Sequence, residues 1–223
     1  MVLVWRRLGD TDGATNLQAG SGLIPARGDA RTVAPPSTAL KFIGWNCRGK
    51  GMNLRSSNKM EYLAKMMNST SAQVTFVSET RSSKCTAADL NARFNTHDSF
   101  VVPAVGLSGG LWLMWSDEIH LQIKLSCRYY ILALVVHIPS NIEFLLACVY
   151  GDPHHSATEM IWEHVGEFVS DNLGKPMICL GDLNNIMHEK ESYGANVNYK
   201  RIRAFNNYVK QCGLFDLGFS GPA

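Results

Sequence analysis

The sequence lacks the features that mark several large classes of protein. Its longest apolar run, Tyr129–Val136, spans eight residues, whereas a membrane-crossing helix needs about 20. That run reads as a buried strand. Near the N-terminus, Val2-Leu3-Val4-Trp5 falls well short of the roughly 7–15 apolar residues of a secretory signal. No membrane association and no secretion signal are expected, which places the protein inside the cell, in nucleus or cytoplasm. Charge of one sign is scarce too, with a net charge of +2 and a pI of about 8.2. This excludes a polybasic chain but leaves room for a local basic surface, which is all that contact with nucleic acid requires. The six cysteines, Cys47, Cys85, Cys127, Cys148, Cys179 and Cys212, include no CxxC pair and no histidine neighbour at zinc spacing. Their expected state is a set of reduced, mostly buried thiols. Internal repeats and low-complexity tracts are absent from residues 40–223. Hydrophobic residues make up 46%, enough for a core.

Residues 1–39 are punctuated by Gly9, Gly13, Gly20, Gly22, Pro25, Gly28, Pro35 and Pro36 without apolar periodicity. They read as a flexible extension. From Leu40 the pattern becomes regular. Leu40–Asn46 reads as a strand followed by a polar loop. Asn58–Asn68 reads as a helix with Met60, Leu63 and Met67 on one face and Asn58 and Glu61 at capping-box spacing. Gln73–Ser78 reads as a buried strand and Ala87–Phe94 as a short helix. Strands are expected at Ser99–Val102, Gly110–Trp115, Ile119–Leu125, Tyr129–His137 and Ile142–Tyr150. In the third of these, Ile119, Leu121, Ile123 and Leu125 alternate with polar residues, as a half-buried strand requires. Ser156 and Glu159 stand at capping-box spacing before a helix to about Asn172, which Gly174 and Pro176 stop. Pro176–Gly181 reads as a buried strand, and Tyr199–Cys212 as a helix ended by Gly213. Strands interleaved with helices around a run of antiparallel strands imply an α/β (α+β) fold of mixed sheets covered by helices.

Four of these strands end in polar residues. Asn46 ends Phe42-Ile43-Gly44-Trp45. Glu79 follows Val74–Ser78. Tyr150 ends Leu145–Val149, and Asp182 and Asn184 follow Met177–Gly181. Side chains at strand ends escape the core while their backbone stays rigid, which is where open sheets bind ligands. Were the ends to converge, the pocket would be rich in hard oxygen ligands suited to Mg²⁺ or Mn²⁺ rather than zinc. Each residue alone has a plainer reading. Asn46 and Asn184 suit turns, Glu79 a solvated strand end, Tyr150 a core edge with a wet hydroxyl, and Asp182 a cap. The basic residues Arg48, Lys50, Arg55, Lys200, Arg201 and Arg203 suit either phosphate contact or a solvated surface. His154, His155 and His188 read as loop residues.

These motifs, taken in order, resemble a known family. Phe42-Ile43-Gly44-Trp45-Asn46-Cys47-Arg48-Gly49 is similar to the opening motif of plant LINE-type (non-LTR) retrotransposon endonucleases, members of the DNase I-like endonuclease/exonuclease/phosphatase superfamily. Phe76–Arg81 resembles the second motif, Ser108-Gly109-Gly110-Leu111 the "SGGL" segment, and Val149–Pro153 the tyrosine motif. Cys179–Asn184 resembles "GDFN" with Leu183 for the usual Phe, and Cys212–Phe219 is similar to a later "CGLxDLGF" signature.

The resemblance implies a four-layer sandwich, two mixed β-sheets face to face with helices outside. It also implies a metal-dependent phosphodiester hydrolase of the DNA endonuclease kind. By position, Asn46 and Glu79 would hold Mg²⁺ (or Mn²⁺), and Tyr150 would stabilise charge on the phosphate. Asp182 would orient or deprotonate the attacking water, and Asn184 would position phosphate and the Asp182 carboxylate, with Arg48 as a substrate contact. DNA is the expected partner. The family pattern continues with "TW", "R-x-D-R" and "S-D-H" segments, whereas this sequence ends at Ser220-Gly221-Pro222-Ala223. Residues 40–223 are therefore expected to form a partial domain, incomplete at its C-terminus, with weak or absent hydrolysis. Two alternatives stand beside this: a non-catalytic retrotransposon-derived remnant that only binds nucleic acid, and a small-molecule phosphoesterase of the same superfamily.

Overall fold

Two β-sheets pack face to face, and each carries helices on its outer side. The computed structural model describes residues 3–7, 40–47, 58–106, 108–192 and 197–217. The first sheet has the order β10-β1-β9-β8-β7-β6, built from β1 (Leu3–Arg7), β6 (Ile119–Cys127), β7 (Tyr130–His137), β8 (Ile142–Tyr150), β9 (Met177–Asp182) and β10 (Phe215–Asp216). The second has the order β2-β3-β5-β4, from β2 (Phe42–Asn46), β3 (Val74–Ser78), β4 (Asp98–Val102) and β5 (Leu111–Trp115). Both are mixed: β8 runs parallel to β9 and β2 parallel to β3, and the remaining pairs are antiparallel. Helices α1 (Asn58–Thr70) and α2 (Ala87–Phe94) cover the four-stranded sheet. Helices α3 (Thr158–Ser170) and α4 (Tyr199–Gln211) cover the six-stranded one. This is the four-layer arrangement that the family resemblance implies, and the mixed, helix-covered sheets expected from the strand and helix pattern. No described helix is long and apolar enough to cross a membrane.

Strand periodicity sorts the side chains into three apolar layers, because successive residues point to opposite faces. Val74, Phe76, Leu111, Leu113 and Trp115 meet Ile131, Ala133, Val135, Phe144, Leu146, Cys148 and Leu180 between the sheets. The alternate residues Leu145, Ala147, Val149, Met177 and Cys179 pack under Ile161, Val165, Phe168, Phe205 and Val209 of α3 and α4. Val77, Trp112 and Met114 pack under Met60, Leu63, Leu90 and Phe94 of α1 and α2. Strands buried on both faces read as near-continuous apolar runs, which is why β5 and β8 show no alternation in sequence. All six cysteines are free thiols, and each except Cys127 is buried.

Two local expectations are revised. Leu3–Arg7 lie in the stretch read as a flexible extension, yet they form β1, paired antiparallel with β9 from Leu3↔Gly181 to Arg7↔Met177. The edge of β9 supplies a backbone partner that no local pattern in residues 1–39 announces. Residues 8–39 lie outside the described part. The Ser156/Glu159 capping box does not form: the N-cap of α3 is Ala157, which has no side-chain cap. Ser156 Oγ instead donates to Asp152 Oδ2 at 2.7 Å. A capping box does form at α2, where Thr86 Oγ1 accepts from the Asp89 backbone N–H and Asp89 accepts from that of Thr86. Thr-x-x-Asp there departs from the usual Glu or Gln at the fourth position.

Candidate active site at the strand ends

The inner-facing register of three strands leads out of the apolar layer into a polar cluster. In β9, Ile178 and Leu180 face the opposite sheet, and Asp182 continues that parity. In β8, Phe144, Leu146 and Cys148 are followed by Tyr150. Phe42 sets the parity of β2, which Asn46 continues. Tyr150 and Asp182 are register neighbours across the parallel β8–β9 pair, and Asn46 is the register neighbour of Ser78. Side chains that occupy the same inner face therefore emerge together at one end of the sandwich.

Asn46 is the meeting point. Its Nδ2 donates to Glu79 Oε1 at 2.9 Å and to Asp182 Oδ2 at 2.7 Å. One amide thus ties a carboxylate from each sheet. Glu79 lies one residue beyond β3, where strict alternation would send it outward, away from Asn46. Its φ of 56° breaks the alternation and turns the carboxylate inward. Asn184 also has a left-handed backbone, with φ of 47°. Its N–H donates to Asp182 Oδ1 at 3.1 Å and its Nδ2 to the Gly151 carbonyl at 2.6 Å. Both Asp182 oxygens therefore accept a directed hydrogen bond, which fixes the plane of the carboxylate. The Gly151 N–H closes the same turn by donating to the Asp182 carbonyl at 2.8 Å. A β-carbon at Gly151 would lie 1.9 Å from the Leu183 carbonyl oxygen, so this crossing of chains excludes any side chain.

The chemistry of the donor set suits a hard divalent cation. Two carboxylates stand within hydrogen-bond reach of one amide. The cation beside them, Arg81, is 3.9 Å from Glu79 Oε2 with its side chain 38% exposed, too distant and too wet to neutralise both. Ser78, next to Asn46 and 1% exposed, has a hydroxyl with no hydrogen-bond partner among the described residues. A buried orphan hydroxyl marks a place for a water or an ion's water shell. Among the described residues, no group of three or more His, Cys, Asp or Glu side chains is placed to hold a metal ion. The set is therefore two carboxylates and an amide, the sparse oxygen ligation that suits Mg²⁺ with most of its waters retained.

Of the residues singled out from sequence, Asn46, Glu79, Tyr150, Asp182 and Asn184 come together. Arg48 lies outside the described residues, as do Lys50 and Arg55. Lys200, Arg201 and Arg203 are exposed on α4. Arg201 and Asn184 share a cleft of about 350 Å³ with Asn185, Glu191 and Asn198. Its positive charge adds to burial, the larger cause, in holding the His155 imidazole below its usual pKa. Two further basic residues escaped sequence reasoning as contacts: Arg81, beside Glu79 as described above, and Arg128. The latter donates to Ser108 Oγ at 3.2 Å and lies 5.2 Å above the Tyr129 ring. Arg128 has no sequence signal beyond its charge, whereas Arg81 closes the Phe76–Arg81 motif. Asp152, just past Tyr150, is 3% exposed and accepts from His154 N, Ser156 Oγ and Ala157 N. Burial alone would push its carboxyl up, but these hydrogen bonds outweigh it and hold the group below the usual carboxylate value.

No protein-family model matches the chain, and no curated protein sequence matches it. Solved structures do. An AP endonuclease from Leishmania major superposes with a TM-score of 0.58 at 16% identity, over 78% of this chain and 66% of that one. The endonuclease domain of TRAS1, a telomere-specific non-LTR retrotransposon, gives 0.57 at 13% identity, over 81% and 74%. A 3′ phosphatase from Neisseria bound to a product DNA hairpin gives 0.54 at 16%, over 78% and 71%. This chain thus spans just under two thirds of the Leishmania structure and somewhat more of the other two. At these identities the likeness is one of fold.

Proposed function

We propose that this chain, which has the DNase I-like fold, is a divalent-cation-dependent phosphodiesterase acting on DNA. The observation that carries the reading is the meeting of Glu79 and Asp182, one from each sheet, on the Asn46 amide. Two carboxylates held this close cost electrostatic energy unless a cation shares them. Asn46 and Glu79 would hold Mg²⁺ or Mn²⁺, which when bound polarises a phosphoryl oxygen and neutralises developing charge.

The chain's own residues supply the rest. Asp182 orients a water and accepts its proton. Its two oxygens are each held by one donor, which leaves lone pairs for that water. Asn184, bonded to the Gly151 carbonyl through one N–H of its amide, retains a second amide hydrogen for a phosphate oxygen. Tyr150, 7% exposed on the same inner face, carries a hydroxyl that donates to the same phosphate. Arg81, beside Glu79, and Arg201, in the cleft with Asn184, suit the flanking backbone of a polyanion. DNA as the substrate is supported by the hairpin in the Neisseria phosphatase and by the sequence resemblance to retrotransposon endonucleases.

The test is nicking of a supercoiled plasmid by the full chain, with Mg²⁺, with chelator, and with Glu79→Ala and Asp182→Ala. Nicking that needs the cation and both carboxylates is the expected result. Soluble, folded protein that binds DNA in a salt-sensitive way but leaves the plasmid intact would overturn it in favour of a binding-only remnant. Cleavage of small phosphoesters with the plasmid untouched would move the substrate class.

A further inference from the structure

The Ser108-Gly109-Gly110-Leu111 segment enters no step above, yet it packs on the backbone that carries Glu79. Left-handed φ values are disfavoured for residues with a β-carbon and persist only where the surroundings over-determine them. Glu79 and Arg81 both have them, at 56° and 50°. Between them Thr80 is fully buried. The Thr80 and Arg81 N–H groups donate to the Gly110 and Gly109 carbonyls at 3.1 and 2.9 Å. On the other side, Cys47 Sγ donates to the Ser78 and Glu79 carbonyls, each at 3.0 Å. Gly110 itself has φ of +86°, and a β-carbon on it would fall 2.3 Å from Thr80 Oγ1. Gly109 has φ of +76° but meets nothing nearer than 4.0 Å.

The geometry points to Gly110 and Thr80 as a positioning pair. The absent side chain at 110 lets Thr80 seat fully, and the seated Thr80 holds the left-handed turn that aims the Glu79 carboxylate at Asn46. A β-carbon at 110 lifts Thr80, and the carboxylate moves out of reach of the cation it would hold. This rests on the metal-dependent reading above and deepens it. Outer partners that orient a metal ligand typically change affinity by about 10–100-fold when altered.

The two neighbouring glycines provide a matched control. Gly109→Ala and Gly110→Ala impose the same kind of left-handed strain, but only the second meets Thr80. Mn²⁺ binding to the full chain is measured by electron paramagnetic resonance for wild type, Glu79→Gln, both alanine variants and Thr80→Ala/Gly110→Ala. Amide hydrogen exchange at Thr80 and Arg81 is followed alongside. The expected pattern has Gly109→Ala binding like wild type. Gly110→Ala binds on the order of tenfold more weakly, with faster exchange at both amides. The double variant recovers most of the affinity while keeping the lowered thermal stability of a left-handed alanine. Equal affinity for Gly109→Ala and Gly110→Ala overturns the proposal, as does a double variant that stays weak. If Gly110→Ala fails to fold, the double variant compared with Gly109→Ala decides. Wild type that binds no Mn²⁺ in a Glu79-dependent way sinks the functional reading itself, an outcome distinct from the other two.

Discussion

Asp182 and Glu79 arrive at the same amide by opposite routes. Asp182 stays in the register of β9: its parity and its parallel pairing with β8 follow from the strand, past Gly181 at φ of +144°, and its two oxygens accept from Asn46 and from the left-handed Asn184. Glu79 leaves the register of β3, and its inward aim exists only because a left-handed residue breaks the alternation. The first route depends on the sheet. The second depends on neighbours from elsewhere in the chain: Cys47 on one side and Gly109-Gly110 on the other. A carboxylate held by sheet register should tolerate loss of any one neighbour better than a carboxylate held by a turn.

The strongest way to break that comparison is to remove each carboxylate at constant shape. Glu79→Gln and Asp182→Asn should each lower plasmid nicking by on the order of 10²–10⁴-fold. Glu79→Gln should weaken Mn²⁺ binding far more than Asp182→Asn does, and equal loss of binding in both would erase the division of roles. Next in size is Gly151→Ala, which drives a β-carbon into the Leu183 carbonyl on the Asp182 side. It should cost about 1–3 kcal/mol in urea unfolding; an unchanged midpoint would show that the β8–β9 crossing relaxes freely.

Asp152 tests the same side through pH. Its carboxyl is held below the ordinary value in the fold, so its stabilising effect is complete above the unfolded value of about 3.8. That effect drains away as pH falls through the lower folded value. Asp152→Asn should be less stable than wild type by about 1–2 kcal/mol at neutral pH, and the gap should close in acid. Denaturation curves across pH 7 to 2 read this directly, and a gap that persists at the acid end would assign it to packing rather than charge. The smallest expected effect is Cys47→Ala, which removes the thiol donor to the Glu79 carbonyl. It should cost about 0.5–1.5 kcal/mol in thermal unfolding and weaken Mn²⁺ less than Gly110→Ala does. The reverse order would make the thiol the principal support of the turn.

Much of this molecule is legible in its sequence. Ala87–Phe94 and Ile142–Tyr150 were read from sequence with the bounds that α2 and β8 show, because each is bounded by a sharp change in polarity or periodicity. The clustering of polar residues after apolar strands pointed to Asn46, Glu79, Tyr150, Asp182 and Asn184. Less legible were contacts whose partners lie far apart in the chain. Ser156 looked like a cap and serves Asp152 instead. Leu3–Arg7 carried no pattern of their own and became a strand because β9 offered an edge.

The sequence by itself determined the order of strands and helices, the apolar faces and which residue types stand at the strand ends, since all of these follow from local periodicity and composition. The convergence of those ends on Asn46 depended on the face-to-face packing of the two sheets, which brings Asn46 and Asp182, 136 residues apart, into hydrogen-bond contact. The inward turn of Glu79 depended on φ values imposed by Gly110 and Cys47 from distant segments. Side-chain direction at a strand end is set by the backbone angle of a single residue, and only the tertiary packing around that residue decides it.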